Sequence, residues 1–209
     1  LPGYGFTPQY VEVDGLRLHH IDEGAGSPVV CFHGEPTWSY LYRKMVPPLV
    51  ATGHRVVCPD LVGFGRSDKP TDTGWYSYDR HVASVSAHLA ALDLHDVTVV
   101  VQDWGGPIGL RWAVENADRV ARLVILNTGL FTGRVSKGFQ AWRDYAERTP
   151  DLPIGNIIQG ATTTDLPPEI IAAYEAPFPT PESKAGAQVF PLLVPLSADD
   201  PGAAEMAAV

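Results

Sequence analysis

Short, continuous apolar runs alternate with helix-like stretches as far as residue 126. Such runs suit strands covered on both faces, and strands joined by helices form parallel sheets with right-handed crossovers. An Asp14-Gly15 hairpin signal joins two further strands, at 11–13 and 16–21. The sequence therefore predicts an α/β fold, with a mostly parallel sheet and helices on both faces. The other predicted strands are 29–32, 55–58, 97–102 and 120–126, and the predicted helices are 40–51, 78–92 and 105–116.

The composition of the sequence changes after Asn127. Residues 133–200 are rich in proline and contain no strong strand, so short helices and loops are predicted there. We expect three parts: an α/β core over 1–130, an inserted α-helical lid over 131–200, and the start of a return to the core over 201–209.

The composition narrows the class of partner. The chain of 209 residues has 24 acidic and 15 basic side chains and a net charge of −9. This balance argues against nucleic acid and anionic membrane surfaces, because both require patches of Lys and Arg. Cys31 and Cys58 lie inside apolar runs, which favours buried thiols in a reducing, cytoplasmic compartment. We expect neither a membrane span nor a leader peptide, because no apolar run is long enough and no charged-then-apolar segment opens the sequence.

The turn at residues 101–106 carries the strongest chemical signal. An apolar strand is predicted to end there, and a helix is predicted to begin at the two glycines that follow Asp103 and Trp104. This is the layout of a nucleophile elbow. A carboxylate at the apex is ionised at neutral pH and can attack carbon to leave an ester on the enzyme. The alternative is that Asp103 only caps the following helix.

The loop at 33–40 follows a predicted strand directly. In elbow enzymes this loop donates one backbone N–H to an oxyanion hole, and the residue after the nucleophile donates the other. Glu35 and Trp104 occupy these positions. His33 is interpreted as a brace of the loop rather than a catalytic base. The side chains of Glu35 and Gln102 are candidates to orient a water or the neighbouring loop.

Three motifs in this order resemble the haloalkane dehalogenases of the α/β-hydrolase superfamily. They are HGEPTWSY at 33–40, DLVGFGRSDKP at 60–70 and VQDWGG at 101–106. In the predicted lid, GFQAW at 138–142 and AYEAPFP at 173–179 resemble the subfamily that binds halide with two tryptophans. The resemblance implies an α/β-hydrolase fold and hydrolytic dehalogenation.

The resemblance also implies roles for individual residues. Asp103 would be the nucleophile, which displaces halide from carbon in an SN2 step and forms an alkyl-enzyme ester that water hydrolyses to an alcohol. Trp104 and Trp142 would bind the halide, and an indole N–H, which only donates, suits an anion. Phe139, Pro191 and Val194 would line the substrate cavity. The expected partners are a small halogenated alkane and a halide ion, and no metal, nucleotide or organic cofactor is implied.

All seven histidines of the chain precede Asp103. The family order along the chain is nucleophile, acid, histidine. The resemblance therefore places the histidine base and its acidic partner after residue 209, among further strands and helices. Asn127 stands where some relatives carry a glutamate. Without such a histidine, we expect the attack by Asp103 to stop at a stable alkyl adduct.

Two other functions remain open on the sequence. An epoxide hydrolase on the same fold also uses an aspartate elbow, and Tyr145 and Tyr174 of the predicted lid are candidates to protonate an epoxide oxygen. The Glu35-Pro36-Thr37 run and Trp142 favour the dehalogenase. The third reading is a non-catalytic ligand-binding protein that retains the elbow only for its geometry.

Overall fold

The computed structural model describes residues 1–209 and contains one six-stranded sheet, in the order β1-β2-β4-β3-β5-β6. β1 and β2 are antiparallel to each other, and β2 is antiparallel to β4. The pairs β3–β4, β3–β5 and β5–β6 are parallel, so the predicted α/β class is confirmed. The strands are β1 Gln9–Val13, β2 Leu16–Gly24, β3 Ser27–Phe32, β4 His54–Pro59, β5 Val97–Gln102 and β6 Val120–Leu126.

Eight α-helices accompany the sheet. They are α1 Val46–Ala51, α2 Tyr78–Leu92, α3 Gly105–Glu115, α4 Lys137–Arg148, α5 Ile154–Gly160, α6 Pro168–Glu175, α7 Ala185–Val189 and α8 Ala203–Ala207. Short 3₁₀ turns link several of them. None of these helices combines the length and the apolar character that crossing a bilayer requires.

The predicted helix at 40–51 is confirmed only over its second half. The structure has a 3₁₀ turn at Ser39–Tyr42 and a separate α1 that begins at Val46. Pro47 and Pro48 explain the break, because proline has no N–H to donate and is tolerated only in the first turn of a helix. The hairpin prediction is confirmed: Asp14 and Gly15 both have positive φ, at 50° and 78°, as in a type I′ turn.

Side-chain alternation along the strands divides the core into two layers. α2 and α3 cover one face of the sheet, and α1 covers the other, with part of α5 and α6. The first face carries Val30, Phe32, Val57, Val99 and Val101, and the second carries Val29, Cys31, Val56, Cys58 and Val100. The predicted burial of both cysteines is confirmed, and neither forms a disulfide.

No strand follows β6, and residues 127–209 form short helices and loops. Proline sets some of the boundaries, since α6 begins at Pro168. Lys184 lies nearly buried before α7, and its Nζ lies 2.6 Å from a carboxylate oxygen of Asp151 and 2.6 Å from one of Glu175. This ion cluster joins the start of α7 to the end of α6 and to the loop before α5.

Candidate active site

Asp103 sits at a sharp turn between β5 and α3. Its φ is +51°, a left-handed conformation that costs a non-glycine residue about 1–3 kcal/mol. Three hydrogen bonds hold the turn: Gly106 N–H and Thr128 Oγ1–H donate to the Asp103 carbonyl oxygen at 2.8 and 2.5 Å, and Asp103 N–H donates to Asn127 O at 3.3 Å. The turn therefore has the strained geometry of a nucleophile elbow.

The carboxylate of Asp103 faces the loop after β3. Glu35 N–H donates to Asp103 Oδ1 at 2.8 Å, and the backbone N–H of Trp104 lowers the pKa of the same carboxyl group. Gly34 permits this approach, because a Cβ there would overlap with the Asp103 side chain. No side chain caps α3, whose N-cap residue is Trp104. The structure thus places the Glu35 N–H on the Asp103 carboxylate, next to Trp104 in the chain, and this carboxylate does not cap α3.

His33 lies fully buried within the same loop. Its Nδ1 donates to Gly34 O at 2.9 Å, because its Nε2 accepts from Leu61 N–H at 3.0 Å. Both ring nitrogens are therefore used in holding the loop, and burial lowers the pKa of the imidazole. This geometry agrees with the interpretation of His33 as a brace.

Asp60 is a second anchor of the loop, and sequence reasoning gave it no individual role. Its carboxylate accepts hydrogen bonds from Ser39 N–H at 2.7 Å, from His19 Nδ1 at 2.8 Å and from Arg66 N–H at 2.8 Å. Burial alone would raise its pKa, but the hydrogen bonds from His19 and from Arg66 N–H lower it to about 2. A buried, permanently ionised Asp60 therefore ties the loop at 33–40 to the motif at 60–70.

Two carboxyl groups share the site. Burial raises the pKa of Asp103, while the N–H groups of Trp104 and Glu35 act in the opposite direction. Burial and the neighbouring charge of Asp103 raise the pKa of Glu35 well above its usual range, and Glu35 Oε1 has no hydrogen-bond partner. Like charges this close do not both ionise readily, so the negative charge is favoured on Asp103, whose pKa is raised less, over Glu35.

A cavity of about 410 Å³ opens beside Asp103, within the range of small-molecule sites. Trp104 lies at its floor, and Trp142, Phe139 and Pro191 line it, so most of the expected site residues meet there. Sequence reasoning missed Phe131 and the α5 residues of the wall. The full lining is Glu35, Pro36, Asp103, Trp104, Phe131, Phe139, Trp142, Ile157, Gly160, Ala161 and Pro191.

Val194 and Gln102 do not line this cavity. Val194 is buried and faces a neighbouring cavity with Tyr78 and Arg143. Gln102 Oε1 is buried without a hydrogen-bond partner. Phe131, by contrast, packs its ring 5.5 Å from that of Trp104. An aromatic residue soon after the carboxyl end of β6 was the available signal for it, because parallel strands end at the same edge of a sheet.

Comparison with known proteins identifies the fold and the family. The model of the α/β hydrolase fold matches residues 27–168. The haloalkane dehalogenase of Mycobacterium marinum is 51% identical over 213 residues, which cover 98% of this chain and 72% of that protein. Haloalkane dehalogenase 1 of Mycobacterium tuberculosis is 53% identical over 210 residues, which cover 96% and 70% respectively. The chain belongs to the haloalkane dehalogenase family.

A solved haloalkane dehalogenase confirms the assignment at the level of structure. DpaA from Paraglaciecola agarilytica, described as tetrameric, is 37% identical and superposes with a TM-score of 0.95 over 100% of this chain and 72% of its own. DatA from Agrobacterium tumefaciens gives 31% identity and a TM-score of 0.79. The family expected from the sequence is confirmed, and the chain spans about seven tenths of the length of these relatives.

Within this dehalogenase site, neither tyrosine named for epoxide chemistry lines the cavity. Tyr174 packs its ring 5.2 Å from Tyr40 in the layer on the other face of the sheet. Tyr145 is 40% exposed. None of the seven histidines lines the cavity, and no group of three or more potential ligand side chains is placed to hold a metal ion.

Proposed function

We propose that this protein hydrolyses haloalkanes with Asp103 as the nucleophile. The observation that carries the proposal is a carboxyl group that accepts Glu35 N–H and lines a largely apolar cavity. Because Oδ1 is held by Glu35 N–H, the other oxygen attacks the halogen-bearing carbon. The carbon–halogen bond breaks as the carbon–oxygen bond forms, and the halide leaves with the electron pair.

Trp104 and Trp142 are proposed as the halide site. Both indoles line the cavity, one beside the nucleophile and one on α4. An indole N–H donates and cannot accept, so two of them favour the departing anion over a neutral ligand. Fixed donors in an apolar cavity need no reorganisation as charge develops on the leaving group.

The backbone donors serve the second step as well. In the ester, Oδ1 becomes the carbonyl oxygen, and attack by water places negative charge on it. Glu35 N–H and Trp104 N–H already point at this group, so they would stabilise the oxyanion, a contribution of roughly 3 kcal/mol per donor. The hydrolysis also needs a base. The family order assigns this role to a histidine after the nucleophile, and we propose that it and its acid lie outside these 209 residues.

The remaining expectations are proposed on narrower support. The apolar cavity supports small halogenated alkanes as substrates. The two free, buried thiols support a reducing compartment such as the cytoplasm. The division into a core over 1–130, a lid over 131–200 and a returning segment over 201–209 stays a prediction.

Intact-mass analysis after incubation with 1-bromohexane tests the nucleophile. We expect one hexyl group on the wild-type chain, with one bromide released, and no adduct on Asp103→Asn, which keeps the shape of the side chain. Should a histidine-bearing remainder be present, the adduct turns over and bromide release becomes catalytic. Absence of both adduct and bromide with the wild-type protein would contradict the proposal.

A further inference from the structure

The outer wall of the Asp103 cavity is built by the end of α5. Ile157, Gly160 and Ala161 all line it, and their spacing places them on one face of the helix. Gly160 and Ala161 are exposed, whereas Ile157 is half-buried. Gly160 and Ala161 are the only exposed residues of the lining, so they lie at the mouth of the cavity, whereas Trp104 is buried.

The helix itself does not require a glycine at position 160. A Cβ added there would meet no atom within 4 Å, and its φ is not in the left-handed region. Gly155, in the first turn of the same helix, is different, since a Cβ there would lie 2.5 Å from Ile171 O in α6. Close packing therefore requires glycine at 155, whereas a side chain at 160 would extend into open space.

The part of the wall that α4 contributes is bulky and apolar. Phe139 and Trp142 lie three residues apart on α4 and both line the cavity, with Phe131 stacked at 6.4 Å from Phe139. No charged side chain lines the mouth. An alkyl chain that extends outward from Asp103 therefore has aromatic surface on one side and space on the other.

We propose that Gly160, with Ala161 beside it, sets the width of the cavity entrance and so admits haloalkanes with long or branched chains. This inference rests on the proposed function of Asp103. A side chain at 160 would project into the space that such substrates occupy, while a two-carbon substrate fits between the floor and the α4 aromatics without reaching the mouth.

The test compares Gly160→Phe, Gly160→Ala and wild type with bromoethane and 1-bromohexane. The readout is the rate constant for release of the first bromide, a step that does not need the histidine base. We expect Gly160→Phe to lower the 1-bromohexane-to-bromoethane ratio about tenfold and Gly160→Ala to change it less than twofold. Asn156→Phe adds the same bulk on the same helix, outside the cavity, and should leave the ratio unchanged.

Two results would overturn the inference. One is a Gly160→Phe protein that reacts with both substrates at wild-type rates, and the other is an equal loss with both, which would show that size selection is not the cause. Either result leaves the proposed role of Asp103 as nucleophile unaffected. If wild type releases bromide from neither substrate, the proposed function fails instead.

Discussion

Asp103 adopts a backbone conformation that its side chain disfavours, and its neighbours compensate for the cost. The carbonyl accepts from Gly106 N–H in α3 and from the Thr128 hydroxyl, which comes just after β6. The side chain is held separately by the loop after β3. Asp103 is thus positioned from three elements, and Thr128 is the one side chain that bonds to its backbone.

Thr128→Val should slow the alkylation of Asp103. Valine has nearly the same shape but cannot donate, and the loss of one hydrogen bond of about 1 kcal/mol predicts a several-fold lower rate. Thr128→Ser keeps the hydroxyl and should restore it. Single-turnover bromide release measures the rate, and thermal unfolding checks that all three proteins are folded. Equal rates for the valine variant and wild type would exclude a positioning role for Thr128.

Glu35→Gln should leave alkylation at pH 7 nearly unchanged, because glutamine mimics the neutral carboxyl. Asp103 must be ionised to attack, so the rate falls as the pH drops through its raised pKa. If Glu35 is neutral in the native protein, its replacement by glutamine should not change the pH at which the rate falls, which is the acid limb of the profile. An acid limb displaced to lower pH in the variant would instead mean that Glu35 is charged in the native protein. The pH profile of single-turnover bromide release decides between them.

At the scale of elements, helix α2 carries a buried imidazole that makes no hydrogen bond. His81 is 1% exposed, its ring lies 4.4 Å from that of Phe190, and neither nitrogen has a hydrogen-bond partner. Burial lowers its pKa from 6.5 to about 3, and the nearby His33 adds to this effect. The unfolded chain therefore binds a proton between pH 6.5 and 3 that the folded chain excludes.

His81→Leu should make the fold less sensitive to acid. Because the folded pKa lies below the unfolded one, His81 weakens the fold as the pH falls below 6.5, by up to about 1.4 kcal/mol per pH unit. Leucine removes this loss and leaves no unpaired nitrogens, so stability at pH 7 should hold or rise by about 1 kcal/mol. Urea unfolding at pH 7 and pH 5 measures both effects. The exposed His95→Gln serves as control, and an equally steep loss in His81→Leu would refute the assignment.

For the molecule as a whole, β6 is an edge strand of the sheet, and much of its apolar surface is exposed. This strand pairs only with β5, and Leu123, Val124, Ile125 and Leu126 are 39–57% exposed on its two faces. A free strand edge with exposed apolar side chains favours association with other chains.

The 209-residue chain is therefore expected to self-associate through β6. Ile125→Lys places a charge on this strand and should shift sedimentation towards the monomer at concentrations where wild type associates. Val114→Lys is the matched control, since Val114 is 54% exposed on α3. If both substitutions, or neither, change the sedimentation profile, the contact does not lie at β6.

Much of the scaffold follows from local sequence. The strands at 97–102 and 120–126 and the helix at 78–92 are confirmed to the residue. Apolar runs define the strands. Ser77 sets the start of α2, because its side chain accepts from Arg80 N–H. The helix predicted over 40–51 is interrupted, because Pro47 and Pro48 are tolerated only in the first turn of a helix that begins at Val46. The elbow at 101–106 was visible because a strand, an aspartate and two glycines are adjacent in the chain.

Tertiary structure alone decided how the site is assembled. The bond from Glu35 N–H to Asp103 Oδ1 joins residues 68 positions apart. The raised pKa of Glu35, the anchoring role of Asp60, the absence of Val194 from the cavity and the open mouth at Gly160 all depend on what packs nearby. Periodicity and turn chemistry act between neighbours and can be read from the sequence. Desolvation, charge proximity and cavity shape arise only after distant segments meet.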